Sequence, residues 1–236
     1  MSNPVLSRDV FREGYSQTGA MTVAGAIQKT FLLAIICLIA AFFAWDNPHA
    51  PTLQIVGLAG GLIVGLAICF KPNWAPFLSP VYALLEGLFL GAVSSFFEAK
   101  MQGIVIQTVA VTGAVFFAML ACYQLNLIRP TQKFRSLVVG ATAGIVLFYL
   151  AGFVMRLVTG SNFSIITGNS GMAIGFSCVV CLIAAFNLII DFGAIEDGAE
   201  ANAPKYMEWY AAFGLLVTIV WLYLEILRLL SKLRSR

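Results

Sequence analysis

Seven long apolar segments dominate the sequence of this 236-residue chain. An α-helix rises about 1.5 Å per residue, so about 20 apolar residues span the hydrocarbon core of a bilayer. None of the segments alternates between apolar and polar residues as the strands of an outer-membrane barrel do. The segments therefore predict seven transmembrane helices, at about residues 27–45, 53–70, 77–97, 104–123, 137–158, 171–192 and 209–230.

The composition excludes a water-soluble domain. Hydrophobic residues make up 60% of the chain and charged residues 11%, whereas soluble domains carry roughly 25% charged residues. Disordered chains are poor in apolar residues and are excluded too. We predict an all-α, polytopic seven-helix bundle with the lipid bilayer as its main partner. It comprises an N-terminal segment (1–26), one membrane domain (27–230) and a basic tail (231–236).

The distribution of Lys and Arg predicts the orientation, because basic residues favour the cytoplasmic side. With a cytoplasmic N-terminus, eight basic residues fall inside: Arg8, Arg12, Lys29, Lys71, Arg129, Lys133, Arg135 and Lys205. Six fall at or near the outside: Lys100, Arg156, Arg228, Lys232, Arg234 and Arg236. We predict a multi-pass protein of the cell (inner) membrane with an external C-terminus. One re-entrant segment and two cytoplasmic termini remain the alternative. The net charge is +3 without a long basic run, so no nucleic-acid partner is expected.

Glu86 is the charged residue that lies deepest in a predicted span. It follows Phe77 by nine residues, about 14 Å along the third helix. A charge near the bilayer centre costs about 2.5–3.5 kcal/mol, so such residues usually face a bundle interior or a water path. Glu86 is a candidate titratable gate or ion ligand. The alternative is a protonated carboxyl hydrogen-bonded to a neighbouring helix.

Asp191 ends the sixth segment, and Asn187 lies one helical turn before it. A carboxylate and an amide on one face could begin a cation site, because hard cations prefer oxygen ligands. Asp191 is thus a candidate ligand for transient calcium, although Lys71 could pair with it instead. The acids that follow, including Glu208, are expected to lie in a solvated connection.

Glu225 lies sixteen residues after Trp209, about 24 Å along the seventh helix. An ion pair with Arg156 or Arg228 is expected, and such a pair could form an outer gate. Thr218 places a hydroxyl at the middle depth of the same helix.

Glycines recur at the small-xxx-small spacing that lets membrane helices approach closely. The pattern is expected to mark tight helix crossings, or alternatively to permit sliding or a gate. It comprises the triple Gly57, Gly61 and Gly65 and the pairs Gly87 and Gly91, Gly140 and Gly144, and Gly171 and Gly175.

Catalytic patterns are weak in this chain. All five cysteines lie in apolar segments and are expected to be small buried hydrophobes, the pair Cys178 and Cys181 included. The single histidine, His49, lies in a turn, and no serine–histidine, metal-ligand or phosphate-loop spacing occurs. We expect neither an enzyme nor a cofactor.

Several stretches resemble the bacterial branch of the Bax inhibitor-1 family. The resemblance runs from residues 3–6 (NPVL) through nearly the whole chain, and the number of helices agrees. Its main motifs are residues 79–92 (SPVYALLEGLFLGA), 187–192 (NLIIDF), 203–214 (APKYMEWYAAFG) and 221–228 (WLYLEILR).

The resemblance implies a bundle whose last helix is surrounded by the other six, and a pH-sensitive calcium leak. It also implies cell-death suppression in eukaryotes and modulation of a membrane protease in some bacteria. The leak proteins carry an aspartate pair, and its two positions fall here on Asp191 and on Thr218, which cannot ionise. The arginine that partners this pair is missing from the second helix. Glu86 and Glu225 are candidates for the missing titratable groups.

Two functions follow as alternatives. One is a passive, pH-modulated cation leak, with calcium as the transported ion. The other is a non-transporting regulator that binds another membrane protein, such as a membrane protease.

Overall fold

Seven long α-helices make up most of the computed structural model, which describes residues 19–45, 47, 49–160 and 168–235. Apart from an isolated bridge between Ala20 and Pro204, these residues form no β-structure. All seven helices are long and apolar enough to cross a membrane, so the prediction of an all-α, multi-pass membrane protein is confirmed. The helices are α1 (Val23–Trp45), α2 (Ala50–Phe70), α3 (Ala75–Lys100), α4 (Ile104–Gln124), α5 (Gln132–Thr159), α6 (Gly171–Glu200) and α7 (Met207–Arg234).

Most helices extend beyond the apolar segments that predict them. Helix α5 begins at Gln132 because the hydroxyl of Thr131 accepts a hydrogen bond from Phe134 N (3.3 Å) and caps the first turn. Helix α6 runs eight residues past Phe192, and α7 continues through Arg234. The predicted basic tail is therefore largely helical. The first eighteen residues of the predicted N-terminal segment lie outside the described residues, as does Arg236.

The chain divides into two compact units. Unit 1 comprises Met1–Ala92 and Ala194–Leu216, and unit 2 comprises Val93–Gly193 and Val217–Arg236. Helices α3, α6 and α7 contribute residues to both units.

Helix α3 packs closely on α1 and α2 in unit 1, at glycines of the predicted small-xxx-small pattern. A Cβ atom on Gly57 would lie 2.6 Å from the carbonyl oxygen of Leu85. Cβ atoms on Gly87 and Gly91 would overlap the carbonyl oxygens of Cys37 and Ala41. Helix backbones touch at these positions, so a larger residue would separate the helices.

The glycine pairs in unit 2 behave differently from those in unit 1. Added Cβ atoms on Gly140, Gly144, Gly171 and Gly175 would meet no atom within 4 Å in the described part of the chain. The expected tight crossings are therefore not formed there. Helix α5 is also the least buried of the seven described helices.

The cysteines also differ from the expectation of uniform burial. Cys37 is buried, Cys122 and Cys181 are partly exposed, and Cys69 and Cys178 are exposed. An apolar residue on a membrane helix has no need to avoid the surface, because lipid is as apolar as the protein core. All five are free thiols.

Candidate functional site

Asp191 carries the most unusual polar atom of the described structure. Its Oδ2 is buried and has no hydrogen-bond partner among the described residues. The Thr218 hydroxyl on α7 lies in hydrogen-bonding position to the carboxyl group. One turn earlier on α6, the amide nitrogen of Asn187 donates to Thr142 Oγ1 and to the carbonyl of Ile183, both at 2.9 Å. A buried carboxylate oxygen without a donor is a natural contact for a cation.

Glu86 occupies a site of its own in unit 1. Its Oε2 points at Gly61, where a Cβ atom would lie 3.0 Å away. Tyr82, one turn earlier on α3, is its hydrogen-bonding neighbour, and Cys37 of α1 lies nearby. The ring of Tyr82 packs edge-on against Phe213 at 4.8 Å. In the described chain Glu86 forms no ion pair with a Lys or Arg.

Glu225 is buried in unit 2, and both of its carboxylate oxygens accept hydrogen bonds. Arg228 Nη1 donates to its two carboxylate oxygens at 3.0 and 3.1 Å. The Tyr149 hydroxyl on α5 lies 3.0 and 3.1 Å from the same oxygens and accepts a 2.7 Å hydrogen bond from Arg228. The three side chains tie α5 to α7. Arg156, the other expected partner, is exposed and does not pair with Glu225 among the described residues.

The structure thus brings together some predicted residues and not others. Asp191 meets Thr218, and Glu225 meets Arg228. The described chain contains no group of three or more His, Cys, Asp or Glu side chains that could hold a metal ion.

Comparison with known proteins decides the family. A family model described as Bax inhibitor 1 like matches residues 3–235, nearly the whole chain. The chain belongs to the Bax inhibitor 1 like family. A search of curated proteins and a search of solved structures each found no match. The resemblance is confirmed for the family, and the bacterial branch stays a prediction.

This Bax inhibitor 1 like protein buries a lysine that the sequence assigns to the tail. Lys232 is only 4% exposed, and its Nζ donates to Ser177 Oγ at 2.9 Å and to the carbonyl of Ala173 at 3.2 Å. The seventh apolar segment ends at Leu230, so Lys232 lies outside the predicted membrane span. Its spacing was the available signal, because Thr218, Glu225 and Lys232 are seven residues apart and share one face of α7.

Glu208 is a second buried charged residue, and the prediction that it lies in a solvated connection is wrong. It lies in the first turn of α7 and is fully buried rather than solvated. Its carboxylate binds Lys29 of α1, Lys205 Nζ at 2.8 Å, and both the backbone nitrogen and the hydroxyl of Thr22 at 2.9 Å. The space that a Cβ atom on Gly25 would need is filled by this carboxylate. The available signals were Lys29, which interrupts the first apolar segment, and Lys205, three residues before Glu208.

Proposed function

We propose that this Bax inhibitor 1 like protein is a passive cation leak of the cell membrane that carries calcium and responds to pH. The buried Oδ2 of Asp191, which has no partner among the described residues, is the observation that carries the proposal. Leaving a carboxylate oxygen unsatisfied is costly in a buried site. The cost is recovered when a cation or a proton binds there, so the site suits transient occupancy.

Glu86 supports the proposal as the mid-membrane gate. Its neighbour is a tyrosine, and it forms no ion pair with a basic residue in the described structure. Protonation would remove its charge and change its hydrogen bond to Tyr82, which would shift an equilibrium between open and closed states. Glu225, with Arg228 and Tyr149, would close the outer end. In this proposal the N-terminus is cytoplasmic and the C-terminus external, and the protein needs neither catalysis nor a resident cofactor.

The direct test is calcium flux into liposomes that contain the purified full-length chain and a trapped calcium indicator. Asp191→Asn and Glu86→Gln should each reduce the flux and flatten its dependence on pH. Glu200→Gln is the matched control, because Glu200 is exposed at the end of α6. A flux that is absent at every pH, or unchanged in both variants, would contradict the proposal.

The second candidate function is a non-transporting regulator that binds another membrane protein, such as a membrane protease. Two glycine pairs favour it, because Cβ atoms built on them would meet no atom of the described structure within 4 Å. The pairs are Gly140 with Gly144 and Gly171 with Gly175. Such small-residue faces are where membrane helices associate. This function predicts that Gly144→Leu or deletion of residues 2–20 abolishes activity in cells, while Asp191→Asn and Glu86→Gln are tolerated.

A further inference from the structure

Helices α6 and α7 face each other along a polar seam within unit 2. Asp191 meets Thr218 at one end and Ser177 meets Lys232 at the other. Between these two contacts, Cys181 of α6 lies within electrostatic range of Glu225 of α7. The residue numbers rise along one helix as they fall along the other, so the two helices are antiparallel. The seam comprises these two contacts and the part of the two helices that lies between them.

The two ends of the seam carry opposite charges. Asp191 supplies the carboxylate with the buried Oδ2, and Lys232 supplies a buried ammonium group. Fourteen residues of α7 separate Thr218 from Lys232, a distance of about 21 Å. Between these ends the charge of Glu225 is matched by Arg228, and α6 has no acidic residue from 173 to 190.

We propose that Lys232 limits the rate of ion passage through the leak and sets its ion selectivity. It does so by repelling cations that have entered the seam at Asp191. The inference rests on the proposed function and names a residue that regulates it. A fixed positive charge about 10 Å from a passing ion, at an effective dielectric constant of about 20, slows a monovalent cation roughly tenfold. The repulsion doubles for a divalent cation, so calcium is slowed roughly hundredfold. Lys232 would therefore make the leak small, and smallest for calcium.

A purely structural function for Lys232 predicts a different pattern. Its hydrogen bonds to Ser177 and Ala173 hold α7 against α6, and losing them could loosen the seam. Loosening would change the passage of all ions alike, whereas a lost charge changes passage according to valence. The ratio of calcium flux to potassium flux separates the two explanations.

The test compares potassium and calcium fluxes in liposomes that contain the full-length protein. Lys232→Gln keeps a hydrogen-bond donor but removes the charge, and should raise potassium flux roughly tenfold and calcium flux roughly hundredfold. Lys232→Arg and Ser177→Ala keep the charge and should leave the flux ratio unchanged. Lys100→Gln is the matched control, because Lys100 is exposed in the same unit.

Ser177→Asp is a second variant in case Lys232→Gln does not fold. It keeps the lysine and places a carboxylate beside it, so calcium flux should again rise more than potassium flux. Equal increases of both fluxes in Lys232→Gln, or a higher ratio of calcium flux to potassium flux in Ser177→Ala, would overturn the inference. Either result would leave the proposed leak itself intact. A wild-type protein and a Lys232→Gln variant that both fail to conduct would overturn the proposed function as well.

Discussion

Lys29, near the start of α1, binds the fully buried carboxylate of Glu208 in the first turn of α7. The two residues are 179 positions apart in the chain, so their contact joins the first and last helices of unit 1. Thr22 and Lys205 complete the partners of the carboxylate. The carboxylate of Glu208 thus accepts from four donors, which hold it in one position between the two helices.

Replacing Glu208 should destabilise the protein strongly. Glu208→Gln leaves the part-buried ammonium group of Lys29 without its anion, and the loss of one partner of a buried pair costs about 3–5 kcal/mol. Thermal unfolding in detergent would show a large drop in Tm. Glu200→Gln, at an exposed position, should change stability by no more than about 0.5 kcal/mol. The double variant Lys29→Met/Glu208→Gln should recover part of the loss, and no recovery would argue against the pair as the cause.

Glycine-to-alanine substitutions should be destabilising in unit 1 and close to neutral in unit 2. Gly87→Ala places a methyl group against the backbone of Cys37, and overpacking of this kind costs about 1–3 kcal/mol. Gly144→Ala adds the same methyl group where no atom lies within 4 Å, and should be close to neutral. Unfolding midpoints of the two variants provide the comparison. Equal destabilisation would contradict the close crossing of α1 and α3.

Removing the hydroxyl of Tyr149 should loosen the contact between α5 and α7. Tyr149→Phe leaves Glu225 and Arg228 paired but deletes the group that both bind across to α5. Cys181 is a native reporter of this region, because it lies within electrostatic range of Glu225 and Arg228. In a chain whose only cysteine is Cys181, a thiol reagent should label Tyr149→Phe several-fold faster than wild type. Tyr223→Phe, which loses a bond to Ser94 (2.7 Å) in the same unit, should not accelerate labelling.

Thr218→Asp should strengthen both cation binding and the response to pH. It places a second carboxyl group beside Asp191, and two carboxylates attract a divalent cation more strongly than one. Protons compete for the same oxygens, so calcium flux through this variant should fall more steeply on acidification than in wild type. The comparison is flux against pH in liposomes, with Thr218→Asn as the uncharged control. A variant that is less sensitive to pH than wild type would contradict the placement of the cation at Asp191.

The sequence locates the seven helices because lipid imposes a simple requirement on each of them alone. An apolar run of sufficient length is a local property, and every predicted run lies within one helix of the structure. Helix ends are less predictable, since a helix that leaves the hydrocarbon can continue with polar residues, as α6 does to Glu200.

The burial of a charged residue is harder to predict than a helix, because it depends on partners far away in the chain. Asp191 and Glu225 are recognisable because they interrupt or end apolar runs. Glu208 and Lys232 lie at the ends of α7, where charged residues are ordinary, and only contacts with Lys29 and Ser177 show their burial. Glycine spacing has the same limitation, because it identifies a surface that permits contact and not the helix that makes it.

The carboxylate that fills the missing side-chain space of Gly25 should also couple two distant positions in evolution. A Cβ atom at position 25 would overlap the carboxylate of Glu208, so a larger residue there requires the end of the Glu208 side chain to shift relative to Lys29 and Thr22. A related protein that carries alanine or a larger residue at position 25 should therefore also have lost the acid at position 208. A larger residue at position 25 is therefore expected to occur together with a change at position 208.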